Sequence, residues 1–336
     1  MNMFNKGTLF KVLFNTALGI VLVVVWLKFV DLKQIVATIA TVNIVLLIPA
    51  FLFMLLSPII RALRLQVFLQ PVKKLSVLDL TFLNMAAQML NFFIPVRAGE
   101  LAKGVYLNHH YDLKLGKSIA WIFLDRFVDF ILVLVVTAIL LGFVPNSLPS
   151  TFISTVGFIA LVTLLVTYLM VFQASLAKKI ANFLSRILIV KSIKIYIERI
   201  FTFFLDAFSI LRRSPVELGK LVLLTILAYA ADAAIWYFIF LALNAPQGLA
   251  KMYLSQLLSA LLYLIPAAPG YVGSAEASGV LILSGIFRMD TNLASAMIVL
   301  FHITSAIFVI VFGLISIYSL KIDLKLIFRK ILRKDK

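Results

Sequence analysis

The sequence predicts an all-α polytopic membrane protein: six full transmembrane helices plus two re-entrant helical hairpins arranged as an inverted repeat. Three observations lead there. The 336 residues are 63% hydrophobic and only 13% charged, with a mean hydropathy of +1.11, against about half apolar and a quarter charged in soluble domains. Six apolar runs, residues 8–30, 43–66, 117–143, 149–172, 216–243 and 290–319, reach the length of about 20 residues that a helix needs to cross a hydrocarbon core about 30 Å thick. Between them lie two segments, FIPVRAGELAKG and LIPAAPGYVGSAEA, that are broken by Pro and Gly and each carry a Glu.

Taken in order, residues 1–42 hold the first span and an external connection. That run is too long for a removed signal peptide and lacks a small-residue cleavage site, so it is expected to stay as a span. Residues 43–143 form a first repeat of span, hairpin (76–110) and span. Residues 144–215 hold a further span and a basic linker, in which Leu176, Ile180, Phe183, Leu184 and Ile187 recur at helical spacing between Lys178, Lys179 and Arg186. This pattern fits an amphipathic helix on the cytoplasmic interface, an elbow between the halves. Residues 216–320 repeat span, hairpin (250–287) and span, and 321–336 form a basic tail.

The duplication has a register. A shift of 171 residues places Leu83, Leu90, Ile94 and Pro95 on Leu254, Leu261, Ile265 and Pro266, and a shift of 176 places Glu100 on Glu276. The distribution of basic residues sets the orientation. With both termini in the cytoplasm, only Lys28, Lys33, Lys251 and Arg288 of the 31 Lys and Arg residues fall outside, and Arg126 falls within a span, as the positive-inside rule requires. The net charge of +17 therefore calls for no nucleic acid; affinity for anionic headgroups follows from it instead. The two copies then run in opposite senses, and inverted repeats with broken helices are the layout of transporters, the breaks pointing to the substrate site.

Charges inside spans are costly, about 2.5–3.5 kcal/mol each on insertion scales, and must find partners. Asp125, Arg126 and Asp129 lie in LDRFVDF of the third run, with Arg126 able to reach Asp129 at three-residue spacing. Arg97 and Glu100 on the first hairpin are the expected partners. Such a cluster either holds a phosphate through its arginines or only fixes the hairpin to the span. In the second half Glu276 is expected to pair with His302, a core hydrogen-bonding residue or a proton carrier. Asp232, which falls on Arg61 under the 171 shift, is the isolated acid and a coupling candidate; Arg61 and Arg64 either contribute to coupling or snorkel to headgroups. Pro95, Gly99, Pro266, Pro269, Gly270 and Gly273 shape the breaks. The sequence contains no Cys, which removes disulfides and thiolate sites. The adjacent His109 and His110 lack a third ligand at metal spacing, so no metal and no cofactor is expected. Ser274 in GYVGSAEA lacks the closing Gly of a nucleophile elbow.

PVRAGELAKGVYL, then LDRFVDF, then PGYVGSAEA before the last run, resembles the lysylphosphatidylglycerol synthase transmembrane family. The resemblance covers nearly the whole chain. It implies a lipid flippase or scramblase moving an aminoacylated phospholipid or a polyprenyl-linked glycolipid between leaflets of the inner (cytoplasmic) membrane. By position, Arg97, Gly99, Glu100, Asp125, Arg126, Asp129, Pro269, Gly270, Gly273 and Glu276 carry over. The chain departs from the family's pattern at Lys103, Ala275 and His302, where arginines are common, and after Ser319 only a short tail follows, so synthase activity is not expected. The implied partners are an anionic or zwitterionic membrane lipid, a separately encoded lipid aminoacyltransferase or glycosyltransferase, and a second copy of the chain as a homodimer. Two other readings stand beside transport: a membrane-embedded lipid-modifying enzyme, and a non-transporting partner subunit of a transferase.

Overall fold

The structure is a computed structural model that describes residues 6–70, 73–94, 98–187, 215–262 and 268–323, with backbone alone at 6–15, 19, 115, 117, 120 and 181–187. It is 85% helix, with no strand among the described residues. In chain order the helices are α1 (Lys6–Leu27), α2 (Leu32–Ala40), α3 (Leu47–Leu69, entered through a 3-10 turn at Ile44–Leu46), α4 (Val77–Phe93), α5 (Ala98–Tyr111), α6 (Leu115–Phe143), α7 (Ser150–Phe172), α8 (Ala174–Ile187), α9 (Pro215–Ala242), α10 (Leu249–Leu262), α11 (Ser274–Val280) and α12 (Thr291–Ser319).

Among the described residues, five segments are long and apolar enough to cross a membrane: Ile44–Leu69, Trp121–Phe143, Ser150–Phe172, Pro215–Ala242 and Thr291–Ser319. Helix α1 is 22 residues long, and its apolar stretch, Thr16–Leu27, is shorter than those five. The connection after α1 is more ordered than a plain external loop. Asp31 accepts from the backbone N–H of Lys33 and Gln34 at 2.9 and 3.3 Å, starting the two-turn helix α2. Ser76 caps α4 and Asp290 caps α12 in the same way. The linker contains α8 over the amphipathic stretch; the rest of it, 188–214, lies outside the described residues.

The molecule is apolar outside as well as inside. Phe158, Leu161 and Leu165 on α7 and Phe143 at the end of α6 are exposed, a distribution suited to lipid and adverse in water. Helices α3 and α9 make the most extensive contact of any helix pair. The Asn43 N–H donates to the Ala242 carbonyl at 2.9 Å, Arg61 meets Asp232, and Arg64 meets Thr225, so the two helices are antiparallel.

Around this pair the packing has two matching halves. Helix α4 packs on α3, and α10 on α9; α5 packs on α6, and α11 on α12; α4 also packs on α12, and α10 on α6. Helices α4 and α5 form a tight antiparallel pair. The Gly99 N–H donates to Asn91 Oδ1 at 2.7 Å near the bend, and the Tyr111 hydroxyl donates to Asp79 Oδ2 at 3.0 Å at the far end. A Cβ on Gly99 would lie 2.0 Å from the Ala87 carbonyl oxygen, so the helices close only because residue 99 has no side chain.

The second broken segment bends differently. After α10 the chain reaches a 3-10 turn at Pro269–Tyr271, with Gly270 at φ 70° and Gly273 at φ 78°, then α11 and a π-helical turn at Leu281–Ile286. Both glycines occupy the left-handed region that side chains disfavour. The two breaks meet: the Phe92 ring lies 6.2 Å from that of Tyr271, and a Cβ on Gly270 would touch it at 3.6 Å.

Candidate functional site

A cavity of about 440 Å³ opens where the breaks meet. Apolar walls come from Met54, Phe92, Trp236 and Phe301, and charged ones from α3, α5, α6 and α9. Pro58 lies inside α3, beside the cavity and one turn before Arg61; a proline there leaves an i−4 carbonyl without its helical donor.

The centre of the charge network is Arg64, whose side chain is 0% exposed. Its Nε and Nη2 donate to the two oxygens of Asp125 at 2.8 and 3.1 Å, while Nη1 donates to Asp129 and, at 3.0 Å, to Thr225. This overturns the snorkelling reading of Arg64. Near the end of its apolar run it has the spacing of a headgroup contact, but the two buried aspartates of α6 need a cation, and α3 delivers one from across the core. An unpaired charge at that depth would cost several kcal/mol, so the fourfold bonding is what makes the burial tolerable.

Arg61 and Asp232 correct two further expectations. Asp232 is not isolated, and Arg61 does not reach outward: Nη2 donates to Asp232 Oδ2 at 2.6 Å, Ser57 bridges the two, and the guanidinium lies 5.3 Å from the centre of the Tyr229 ring. Tyr229 in turn donates to Asp129 Oδ2 at 3.2 Å, joining this pair to the Arg64 cluster.

Arg126 is placed differently. Nε and Nη2 hold Asp125 Oδ2 at 3.2 and 2.9 Å, Nη1 lies 3.6 Å from Asp129, and Glu100 is 4.0 Å away. Its side chain is 28% exposed, against 13% for Arg61 and 0% for Arg64. A guanidinium has five N–H donors, and Arg126 spends only part of them within the network while lining the cavity. Glu100 takes its close partner from its own helix, Lys103 at 3.1 Å, which is itself buried. Lys103 and Tyr229 are members of the site that the sequence reading left out. Each carried a signal, Lys103 three residues after Glu100 and Tyr229 three before Asp232, on the same helix faces.

In the second half, His302 Nδ1 lies 2.5 Å from Glu276 Oε1 and Nε2 lies 2.7 Å from the Gly270 carbonyl. The other oxygen, Glu276 Oε2, accepts the Gly273 N–H at 2.7 Å, tying the carboxylate back to the start of α11. Of the hairpin-shaping residues, Gly99, Pro269, Gly270 and Gly273 sit at the bends; Arg97, Pro95 and Pro266 lie outside the described residues. No group of three or more His, Asp or Glu residues fit to hold a metal occurs among the described residues.

Comparison with curated proteins gives no match. A family described as "Lysylphosphatidylglycerol synthase TM region" matches residues 12–313, taking in α3 to α6, α9 to α11 and every charged group of the cavity. With nearly its whole length matched, from within the first helix to within the last, the chain belongs to the lysylphosphatidylglycerol synthase transmembrane family.

Proposed function

We propose that the protein translocates a phosphate-headgroup lipid between the leaflets of the cytoplasmic membrane, acting as a flippase or scramblase rather than as an enzyme. The observation that carries the reading is Arg126: a partly exposed guanidinium, backed by carboxylates, in a cavity at the meeting of two broken helix pairs. A phosphate can take the unspent donors of Arg126, with Lys103 and Arg61 as further cations lining the cavity, while the acyl tails stay in lipid. Glu100, Asp125, Asp129 and Asp232 balance the charge between passages. An aminoacylated phospholipid and a polyprenyl-linked glycolipid both fit this chemistry, supplied by a separately encoded transferase.

The architecture we infer around this site is six spans, with α4–α5 and α10–α11 as re-entrant hairpins entering from opposite leaflets and both termini cytoplasmic. Support comes from the matching helix contacts of the two halves, from the antiparallel course of α3 and α9, and from the ion pair between Arg61 and Asp232, residues exactly one repeat shift apart. Equivalent positions near a two-fold axis come into contact, and inverted transporter repeats share such an axis in the membrane plane.

The test is reconstitution. Purified protein in liposomes should bring fluorescent phospholipid to the outer leaflet, read by chemical quenching, and Arg126→Gln should slow it at least about tenfold, the size of one lost charge-assisted hydrogen bond. Lipid movement at the normal rate in a folded Arg126→Gln protein would overturn the assigned role.

A further inference from the structure

The contact between Glu276 and His302 fixes a proton count. A carbonyl oxygen only accepts, so the Nε2 that lies 2.7 Å from the Gly270 carbonyl carries a hydrogen. Nδ1 then faces Glu276 Oε1 at 2.5 Å. With Nε2 protonated and no second hydrogen, a lone pair on Nδ1 would face a carboxylate oxygen at that distance, which is repulsive. The geometry therefore holds one more proton, shared between Nδ1 and Oε1. Whether it is written as imidazolium with carboxylate or as imidazole with carboxylic acid, the pair binds and releases it as a unit.

That proton joins three pieces of backbone. Through His302 it holds α12, through Nε2 the Gly270 carbonyl of the 3-10 turn, and through Glu276 Oε2 the Gly273 N–H at the start of α11. The turn between is built on two positive-φ glycines and bears against Phe92 of the first break. His302 is 16% exposed and lines the cavity, so water can reach the proton. The ionisable groups sharing that cavity are Tyr271 from the same segment, Glu100 and Lys103 from α5, Arg126 and Asp129 from α6, Arg61 from α3, and Tyr229 and Asp232 from α9; α4 contributes Gln88, Asn91 and Phe92, none of them charged.

We propose that Glu276 and His302 form a single-proton site whose occupancy latches the second broken segment to α12. Removal of the proton leaves one ring hydrogen for two acceptors, Glu276 Oε1 and the Gly270 carbonyl, so one of the two contacts is lost and the Gly270–Gly273 turn is freed together with its contact with Phe92. Proton occupancy favours the latched arrangement, so a rise in pH favours the released one. The coupling of this motion to lipid movement rests on the translocation reading above; the latch does not.

The chain's three histidines, His109, His110 and His302, make the test direct. Protein labelled with 15N only at histidine, in nanodiscs, should show a His302 ring that loses one proton in a single step as the pH rises. The resonance is assigned by its absence in His302→Gln. Glu276→Gln should move that step by about one unit or more. Spin labels at Val272→Cys and Phe93→Cys, two exposed positions flanking the breaks, should give a distance that changes over the same pH interval. A His302 ring that keeps one protonation state throughout, or a spin-label distance indifferent to pH, overturns the latch. If the latch titrates and lipid moves, the rate of movement should follow the same midpoint. A latch that titrates in protein that moves no lipid refutes the translocation reading and leaves the proton site standing.

Discussion

The two breaks in this chain take matching places in the two halves and are held in opposite ways. The first, between α4 and α5, is braced by close helix contact at Gly99 and by an ion network in which Arg64, Asp125, Asp129, Arg126, Glu100 and Lys103 share partners. The second, between α10 and α11, rests on a turn of two positive-φ glycines and one Glu–His contact. A network with many shared bonds resists the loss of any single one, whereas one contact can be made or broken by one proton. The comparison assigns the first break the role of a fixed wall that grips, and the second the role of the part that moves.

Substitutions break this comparison in graded ways. Arg64→Ala should have the largest effect, since it leaves Asp125 and Asp129 buried with only Arg126 nearby; a loss of about 3–5 kcal/mol is expected, seen as collapse of the folded peak in fluorescence-detected gel filtration. Gly99→Ala should follow at about 1–3 kcal/mol, because the added methyl meets the Ala87 backbone, which cannot yield as a side chain would. A double-mutant cycle over Arg61→Ala and Asp232→Ala should return a coupling of about 0.5–3 kcal/mol in thermal unfolding in detergent. Smallest in stability, at about 1 kcal/mol or less, should be Arg126→Gln and Glu276→Gln, which differ in what they abolish. The first should abolish lipid movement at all pH values, and the second should abolish only the normal midpoint of its dependence on pH. Equal destabilisation by Arg64→Ala and Glu276→Gln would remove the distinction between fixed and moving breaks.

Much of this was legible in the sequence, and the boundary has a physical cause. Five of the six apolar runs coincide with helices long enough to cross, because hydrocarbon leaves the backbone no partner but itself. The pairing of Glu276 with His302 was accessible because a buried carboxylate needs a donor and the repeat register sets the two residues on the places of Glu100 and Arg126. Arg64 was not accessible. One-dimensional spacing shows a cation near the end of an apolar run and cannot show that Asp125, 61 residues on, turns its carboxylate toward it across the core. Asp232 was misread for the same reason: it is isolated along the chain and paired in space. Arg97, Pro95 and Pro266, on which the sequence reading leaned for grip and shape, lie outside the described residues.

Lipid headgroups that pass through the cavity between the breaks must stop when that cavity is blocked, and a sequence without cysteine can be blocked at one chosen position. Ser305 lines that cavity, while Phe143 is 82% exposed at the C-terminal end of α6. Ser305→Cys and Phe143→Cys proteins would be reconstituted, reacted fully with a bulky maleimide and assayed for movement of fluorescent phospholipid. Modification at position 305 should stop lipid movement, and modification at 143 should leave it unchanged. Undiminished movement with position 305 fully modified would contradict passage through that cavity.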